Sequence, residues 1–226
     1  MCRISSVIAL AFLLVAPIGA EALPADVALD PERSVLAVLT HKAGIASGLA
    51  HDHLITAPLD ALRLMFDPAT PEATHVTLEL AVDRLEIDHF AARAKWKGRL
   101  RELGAGPEKL DPVTEEDRVK VREAMLGKSQ LDAAGSPRLT AELVKLEKAG
   151  GMKPPFDGRA TIRLAIRGKT VERAIPATWR VEGSGFVVEA LGEFRFTEFG
   201  IRPYSAALGA VKNDDLFHLY VALATK

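Results

Sequence analysis

The chain has 226 residues and a formal net charge of −1, because 29 Lys and Arg residues nearly balance 30 Asp and Glu residues. This balance argues against nucleic acid or an anionic membrane surface as a partner. The single cysteine, Cys2, lies at the extreme N-terminus, so the rest of the chain has no disulfide, thiolate metal site or cysteine nucleophile.

The N-terminal segment has the features of a secretory signal. Arg3 supplies a positive start, residues 7–15 (VIALAFLLV) form an unbroken apolar run, and residues 20–22 (AEA) place small side chains where a signal peptidase reads them. A bilayer core requires roughly 20 apolar residues, about twice this run. We therefore expect residues 1–22 to be removed and residues 23–226 to form one periplasmic or secreted domain with no integral membrane segment.

Strand patterns begin soon after this segment. Val35, Ala37 and Leu39 share one face of a predicted strand and are followed by His41, and the side chains of residues 62–66 and 76–82 alternate at a period of two. Such alternation places one face of a strand in a core and the other in water.

Helical patterns are confined to the middle of the chain. Residues 90–103 carry apolar side chains at helical spacing and end at Gly104. Thr114, with Asp117 three residues later, resembles a capping box that opens a second helix through about Leu126. We therefore predict two short helices between strands.

The second half of the chain indicates consecutive antiparallel strands. The clearest alternation lies at residues 160–166, and it is followed by the turn signal Arg167-Gly168-Lys169. Residues 182–185 (EGSG) form a second turn signal, and residues 212–215 (KNDD) precede a last strand over residues 216–224. Short strands at this spacing favour a closed barrel or a sandwich, built as one domain.

Four elements in this order resemble the YceI-like family, and together they span nearly the whole mature chain. They are residues 29–34 (LDPERS) with 47–53 (SGLAHDH); Leu131-Asp132 with residues 136–139 (SPRL); residues 158–176, which contain IRGKT; and residues 194–211, which contain FGI and Pro203. The chain differs from many members in its His-Asp-His segment and in a longer charged insertion between Asp88 and Leu131.

The resemblance implies an all-β, lipocalin-like antiparallel barrel with one or two short helices inserted between strands, and an isoprenoid lipid inside it. An eight-stranded barrel is either filled by its own side chains or holds one small ligand, and the sequence leaves both open. The candidate interior residues are Leu39, Leu64, Leu78, Leu80, Ile162, Leu164, Ile166 and Phe194.

The histidines form the strongest polar pattern. Residues two apart on a strand point to the same side, so His51 and His53 are expected to face one ion or one ligand group. His41 and His218 are the candidate third partners, and imidazole binds zinc, copper, nickel or iron. In the alternative, these side chains hydrogen-bond backbone groups and anchor a loop, because H-x-H alone is a weak metal signal.

The sequence thus predicts an exported, non-enzymatic carrier of an apolar ligand, quinone-like or polyprenyl in type. Nucleophile-elbow, Walker and dinucleotide glycine motifs do not occur. One alternative is a metal- or heme-associated periplasmic stress or redox protein that uses His51 and His53. An enzyme of unknown chemistry and a structural domain with a filled core are the others.

Overall fold

The computed structural model describes residues 25–45, 51–106, 110, 112–206, 208 and 210–226. Within these residues, one curled antiparallel sheet of twelve strands carries two α-helices. The predicted all-β, lipocalin-like fold is therefore confirmed. The predicted signal at residues 1–22 and the family-like residues 47–50 lie outside the described residues.

The strands pair with antiparallel neighbours almost throughout the sheet. Their bounds are β1 (Ala25–Asp26), β2 (Val35–Ala43), β3 (Leu54–Ala57), β4 (Leu62–Phe66), β5 (His75–Ala81), β6 (Glu86–Ile87), β7 (Arg138–Lys148), β8 (Gly158–Ile166), β9 (Lys169–Glu182), β10 (Gly185–Arg195), β11 (Ser205–Ala206) and β12 (Val211–Ala224). The helices are α1 (Phe90–Glu102) and α2 (Glu115–Leu126). Neither helix in this part of the chain is long and apolar enough to cross a bilayer.

The strand order is β1-β4-β5-β7-β8-β9-β10-β12-β2-β3-β6, with β11 beside β12. The first long strand, β2, therefore pairs with the last strand, β12. Ala25 pairs with Phe66 of β4, while the Asp30 N–H donates to the Ala224 carbonyl at the end of β12 (2.8 Å). Residues 25–30 thus bridge β4 and β12 at one end of the curled sheet.

Two hydrophobic clusters lie on opposite faces of the sheet. The larger fills the inside of the curl and includes Leu164, Phe186 and Phe194. The smaller lies outside, where Leu100 of α1 packs with residues of β2, β3 and β12, including Tyr220. Helix α1 thus completes a second core against the outer face of β2. Burial of each large apolar side chain in such a core stabilises the fold by about 1.5–3 kcal/mol.

A turn and a helix cap that the sequence predicts are both present in the structure. Arg167 and Gly168 both have positive φ (51° and 70°) between β8 and β9, which is the geometry of a two-residue hairpin of type I′. The Asp117 N–H donates to the Thr114 hydroxyl oxygen (3.1 Å), so the predicted cap of α2 is confirmed.

The predicted turn at residues 212–215 is wrong. This segment belongs to β12, and the pairing of β12 with β2 shifts register between Asn213 and Phe217. There the Asp214 carboxylate accepts a hydrogen bond from the Leu216 N–H (3.0 Å). Polar residues that resemble a turn in sequence are accommodated here as a bulge, where extra residues leave the ladder without ending the strand.

Candidate functional site

A cavity of about 250 Å³ lies inside the curled sheet. Its walls come from β2, β3, β5, β7, β8 and β12, and α2 covers it with Val121, Ala124 and Met125. Most of the lining side chains are aliphatic or aromatic. The volume lies just below the range of roughly 300–1,000 Å³ that is typical of small-molecule sites.

A smaller cavity of about 50 Å³ continues the same interior space. It shares Leu36, Leu78, Ala141 and Leu219 with the larger one. Its remaining lining is almost wholly apolar and includes Ile162. The two cavities therefore lie side by side along the interior of the sheet, and the smaller forms an apolar extension.

The predicted interior residues fall into three groups: those that line a cavity, those buried in the main core beside the cavities, and Leu39. Leu78, Leu164 and Ile166 line the larger cavity, and Leu78 and Ile162 line the smaller. A second group belongs to the main core but lines neither cavity. These residues are Leu64, Leu80 and Phe194. Ligand contact by any of them stays a prediction.

The predicted interior position of Leu39 needs correction. Leu39 is fully buried in the outer cluster beneath α1, together with Val35 and Ala37. The inward side chains of β2 are instead Leu36, Val38 and Thr40. Both faces of β2 are buried, so the alternation of its residues does not distinguish the face toward the cavity from the face toward α1.

His53 lies in the cavity wall and is held by a buried carboxylate. Its Nδ1 lies 2.7 Å from Asp88 Oδ2. The other oxygen, Asp88 Oδ1, accepts a hydrogen bond from the Leu54 N–H (2.8 Å) and a charged hydrogen bond from Arg93. Arg93 also donates to the Asp52 carbonyl (3.1 Å). This network ties the approach to β3 to the start of α1.

The backbone conformation and the charge of Asp88 suit it to hold the His53 imidazole. Asp88 has a φ of 50° and lies immediately after β6, where Asp tolerates the left-handed conformation better than most residues do. Burial of the Asp88 carboxyl opposes ionisation. The hydrogen bonds from His53 and Leu54 and the charge of Arg93 outweigh burial, and they hold the pKa of this carboxyl below its usual value. Asp88 is thus a carboxylate that accepts from the imidazole.

His51 lies near His53, but both residues precede β3 and neither lies on the strand that the prediction required. Their ring centroids are 6.4 Å apart and the rings are tilted by 59°. His51 Nδ1 is buried and has no hydrogen-bond partner among the described residues. A buried nitrogen without a partner costs free energy unless water or a ligand satisfies it.

His41 and His218 form a separate pair on the outer face of β2 and β12. His41 Nε2 lies 2.7 Å from His218 Nδ1, and Glu193 lies 3.5 Å from the far nitrogen of His218. Asp52 lies 4.0 Å from His41 Nδ1. Burial lowers the pKa of both imidazoles, and the neighbouring His41 lowers that of His218 further.

The histidines therefore do not form the three-imidazole group predicted around His51 and His53. His41 and His218 bind each other because alternation on β2 and β12 turns them away from the cavity. In the described ranges, no group of three or more His, Cys, Asp or Glu side chains is arranged to hold a metal ion.

Sequence reasoning missed several residues that shape the site. Asp88 enters the sequence analysis only as the start of a charged insertion and Arg93 is not singled out there, although the two residues fix His53. The helix α2 was predicted, but Val121 and Met125, four residues apart on one face, are the signal that it covers an apolar cavity.

The chain matches no protein-family model and no curated protein. Among solved structures, BcnA of Burkholderia cenocepacia is 14% identical with a TM-score of 0.55, over 88% of this chain and 99% of that one. A polyisoprenoid-binding domain from Saccharophagus degradans is 10% identical (TM-score 0.47; 90% and 99% covered). A YceI protein of Campylobacter jejuni is 14% identical (TM-score 0.40; 72% and 79% covered). The likeness to BcnA shows a common fold across nearly all of both chains.

Proposed function

We propose that this chain is an exported, non-enzymatic binding protein of the YceI-like family that holds an apolar, isoprenoid-type ligand inside its curled sheet. The observation that carries the proposal is the cavity of about 250 Å³, with its mostly apolar lining and its apolar extension. The curled antiparallel fold that this chain shares with BcnA agrees with the lipocalin-like architecture that the sequence resemblance implies. The isoprenoid class and the export rest on the sequence resemblance and on the signal-like residues 1–22.

The energetics of the cavity favour an elongated hydrocarbon chain. Apolar surface transferred from water contributes roughly 25 cal/mol per Å². Branched aliphatic walls such as Leu36, Leu78 and Leu164 supply that contact without demanding hydrogen bonds. Because the lining offers few polar groups along most of its length, a polar molecule of the same size would lose hydrogen bonds to water without replacing them.

The direct test is organic extraction and mass spectrometry of the protein purified from its native compartment. We expect a prenyl-containing lipid in the extract. Ala141→Phe, which fills the space where the two cavities meet, should lower the amount of bound lipid. Thr140→Phe, at the neighbouring exposed position of β7, is the matched control and should retain it. An extract without lipid from the natural protein, or equal lipid in both variants, would contradict the proposal.

Export has its own test. N-terminal sequencing of protein from the same compartment should find Leu23 as the first residue, because Ala20 and Ala22 fit the small-residue preference of signal peptidase. An intact Met1 on the functional protein would overturn this part of the proposal.

A further inference from the structure

Four polar residues of the larger cavity lie near the Thr40 end of β2, while Lys120 and Gln130 line it from α2 and the segment after it. The Thr40 hydroxyl oxygen accepts a hydrogen bond from the His53 N–H (3.3 Å), and both residues line the cavity. Asn213 pairs with β2 two residues beyond Thr40, and its N–H donates to the Tyr204 carbonyl (2.9 Å). Asn213 and Tyr204 also line the cavity. The opposite direction leads to the small apolar cavity, so the interior space is itself amphiphilic.

His53 is the polar side chain at this end whose orientation is fixed by a charge. The Asp88 carboxylate accepts from Nδ1, so Nδ1 carries a proton, and in the neutral tautomer with that proton Nε2 is a lone-pair acceptor. Among the described residues, Nε2 has no hydrogen-bond partner. The ring is nevertheless well sheltered, with 12% of the side chain exposed. His53 thus presents an acceptor to a largely apolar space.

We propose that His53 Nε2 accepts a hydrogen bond from a hydroxyl group on the ligand, so that the cavity selects an isoprenoid alcohol or phenol over the matching hydrocarbon. The hydroxyl would sit at the Thr40 end and the hydrocarbon chain would extend toward the small cavity. This inference rests on the proposed function, because it assigns the head group of the same ligand.

The test compares three probes with one hydrocarbon chain: farnesol, its methyl ether and farnesene. Each is titrated into the full mature chain and the dissociation constant is measured. A net hydrogen bond in a protein corresponds to roughly a three- to tenfold change in affinity. Farnesol is therefore expected to bind about three- to tenfold more tightly than the ether, which keeps the oxygen but lacks the hydrogen to donate.

Two variants test His53 itself. His53→Asn keeps a donor to Asp88 near the Nδ1 position but removes the distal nitrogen, so the preference for farnesol over its ether should disappear. His53→Gln places a polar group near the Nε2 position and should restore part of the preference. His75→Asn, on β5 and away from the cavity lining, is the control and should bind all three probes as the natural protein does.

The outcomes separate the two proposals. Equal affinity for farnesol and its ether, with binding of both, would overturn the hydroxyl contact and leave the apolar cavity supported. A preference that persists in His53→Asn would overturn the assignment to His53. Failure of every probe to bind would overturn the proposed function itself.

Discussion

His53 and His218 show how one residue type takes two roles on the two faces of one sheet. His53 faces the cavity and is oriented by the buried Asp88 carboxylate, whereas His218 faces outward and shares a hydrogen bond with His41. The difference lies in their partners: a carboxylate fixes the tautomer of His53, while the imidazole pair is bound by mutual hydrogen bonding in the neutral state. Each arrangement makes a separate prediction.

The Asp88 carboxylate is expected to contribute several kcal/mol to the free energy of unfolding. Asp88→Ala removes the acceptor of the His53 and Leu54 N–H groups and the anion beside Arg93, and breaking a buried ion pair costs about 3–5 kcal/mol. Urea denaturation measures the free energy of unfolding. Asp60→Ala is the matched control, because Asp60 also pairs with an arginine but is exposed, where such pairs contribute about 0–1 kcal/mol. Equal losses in the two variants would contradict the assigned network.

The His41–His218 pair predicts that stability falls in mild acid. Burial lowers the pKa of both imidazoles below the ordinary value of 6.5, despite the nearby carboxylates of Asp52, Glu193 and Asp214. Below pH 6.5 the unfolded chain therefore takes up protons that the folded chain does not, so the stabilisation present above this pH is lost as the pH falls toward the folded pKa values.

The measurement is the free energy of unfolding at about pH 7 and about pH 5, which bracket the ordinary imidazole range. The double variant His41→Gln with His218→Gln should show a smaller loss between the two conditions than the natural protein. His75→Gln leaves the pair intact and is the control. A natural protein that is equally stable at both values would refute the interpretation.

At the scale of elements, the two helices differ in how they attach to the sheet. Helix α1 is fastened by packing and charge: Leu100 is fully buried, and Arg99 binds Glu189, which also accepts from the Tyr220 hydroxyl. Helix α2 has no fully buried residue and is held largely by arginine contacts to backbone carbonyls. Local opening should therefore begin at α2, which is the helix that covers the cavity.

Loss of an anchoring arginine should loosen α2. Arg122 donates to the Leu85 and Asp83 carbonyls, and a hydrogen bond from a charged group contributes roughly 1.5 kcal/mol. Arg122→Ala is therefore expected to make opening of α2 about tenfold more frequent, measured by amide hydrogen exchange. Lys128→Ala, exposed just beyond the helix, is the control. Unchanged exchange in α2 of Arg122→Ala would show that other contacts hold the cover.

Strand β8 has a core face and an outer face that a pair of substitutions can distinguish. Leu164 is 5% exposed in the main core, whereas Arg163 forms exposed ion pairs with Glu142 and Glu172. Leu164→Asp buries a carboxylate and should lower the melting temperature several times more than Arg163→Asp. Thermal unfolding measures both, and similar melting temperatures for the two variants would show that the core face is assigned wrongly.

At the scale of the whole molecule, the curled sheet creates a space that no single strand contains. Residues 25–30 bridge β4 and β12 at one end, α2 covers part of the curl, and the cavity of about 250 Å³ remains between the walls. The size of this space limits the proposed ligand. A long polyprenyl chain would fill both cavities before it was fully enclosed.

Affinity should therefore rise with isoprenoid chain length and then level off. Each added buried methylene contributes up to about 0.8 kcal/mol until the cavities are full. Titration of prenyl alcohols of increasing length measures the trend. Ala141→Phe, which separates the larger cavity from its extension, should bring the plateau to a shorter chain. A flat response in the natural protein would argue against an enclosed hydrocarbon chain.

Much of the fold could be predicted because its determinants are local. The alternation of residues 160–166, the turn at Arg167 and Gly168, and the Thr114 cap each act through neighbours in the chain. Hydrophobic periodicity and backbone preference operate over a few residues, so sequence alone determined the β-rich class, the two helices and the antiparallel second half.

The tertiary structure alone decided which faces and which distant residues meet. Both faces of β2 are apolar in sequence, and only the position of α1 places Leu39 outside the curl. His41 is in contact with His218, which lies 177 residues away in the sequence, and Asp88 is in contact with His53, which lies 35 residues away. Such pairings depend on strand register and on the curvature of the whole sheet, which arise from the summed packing of many strands rather than from the residues that come into contact.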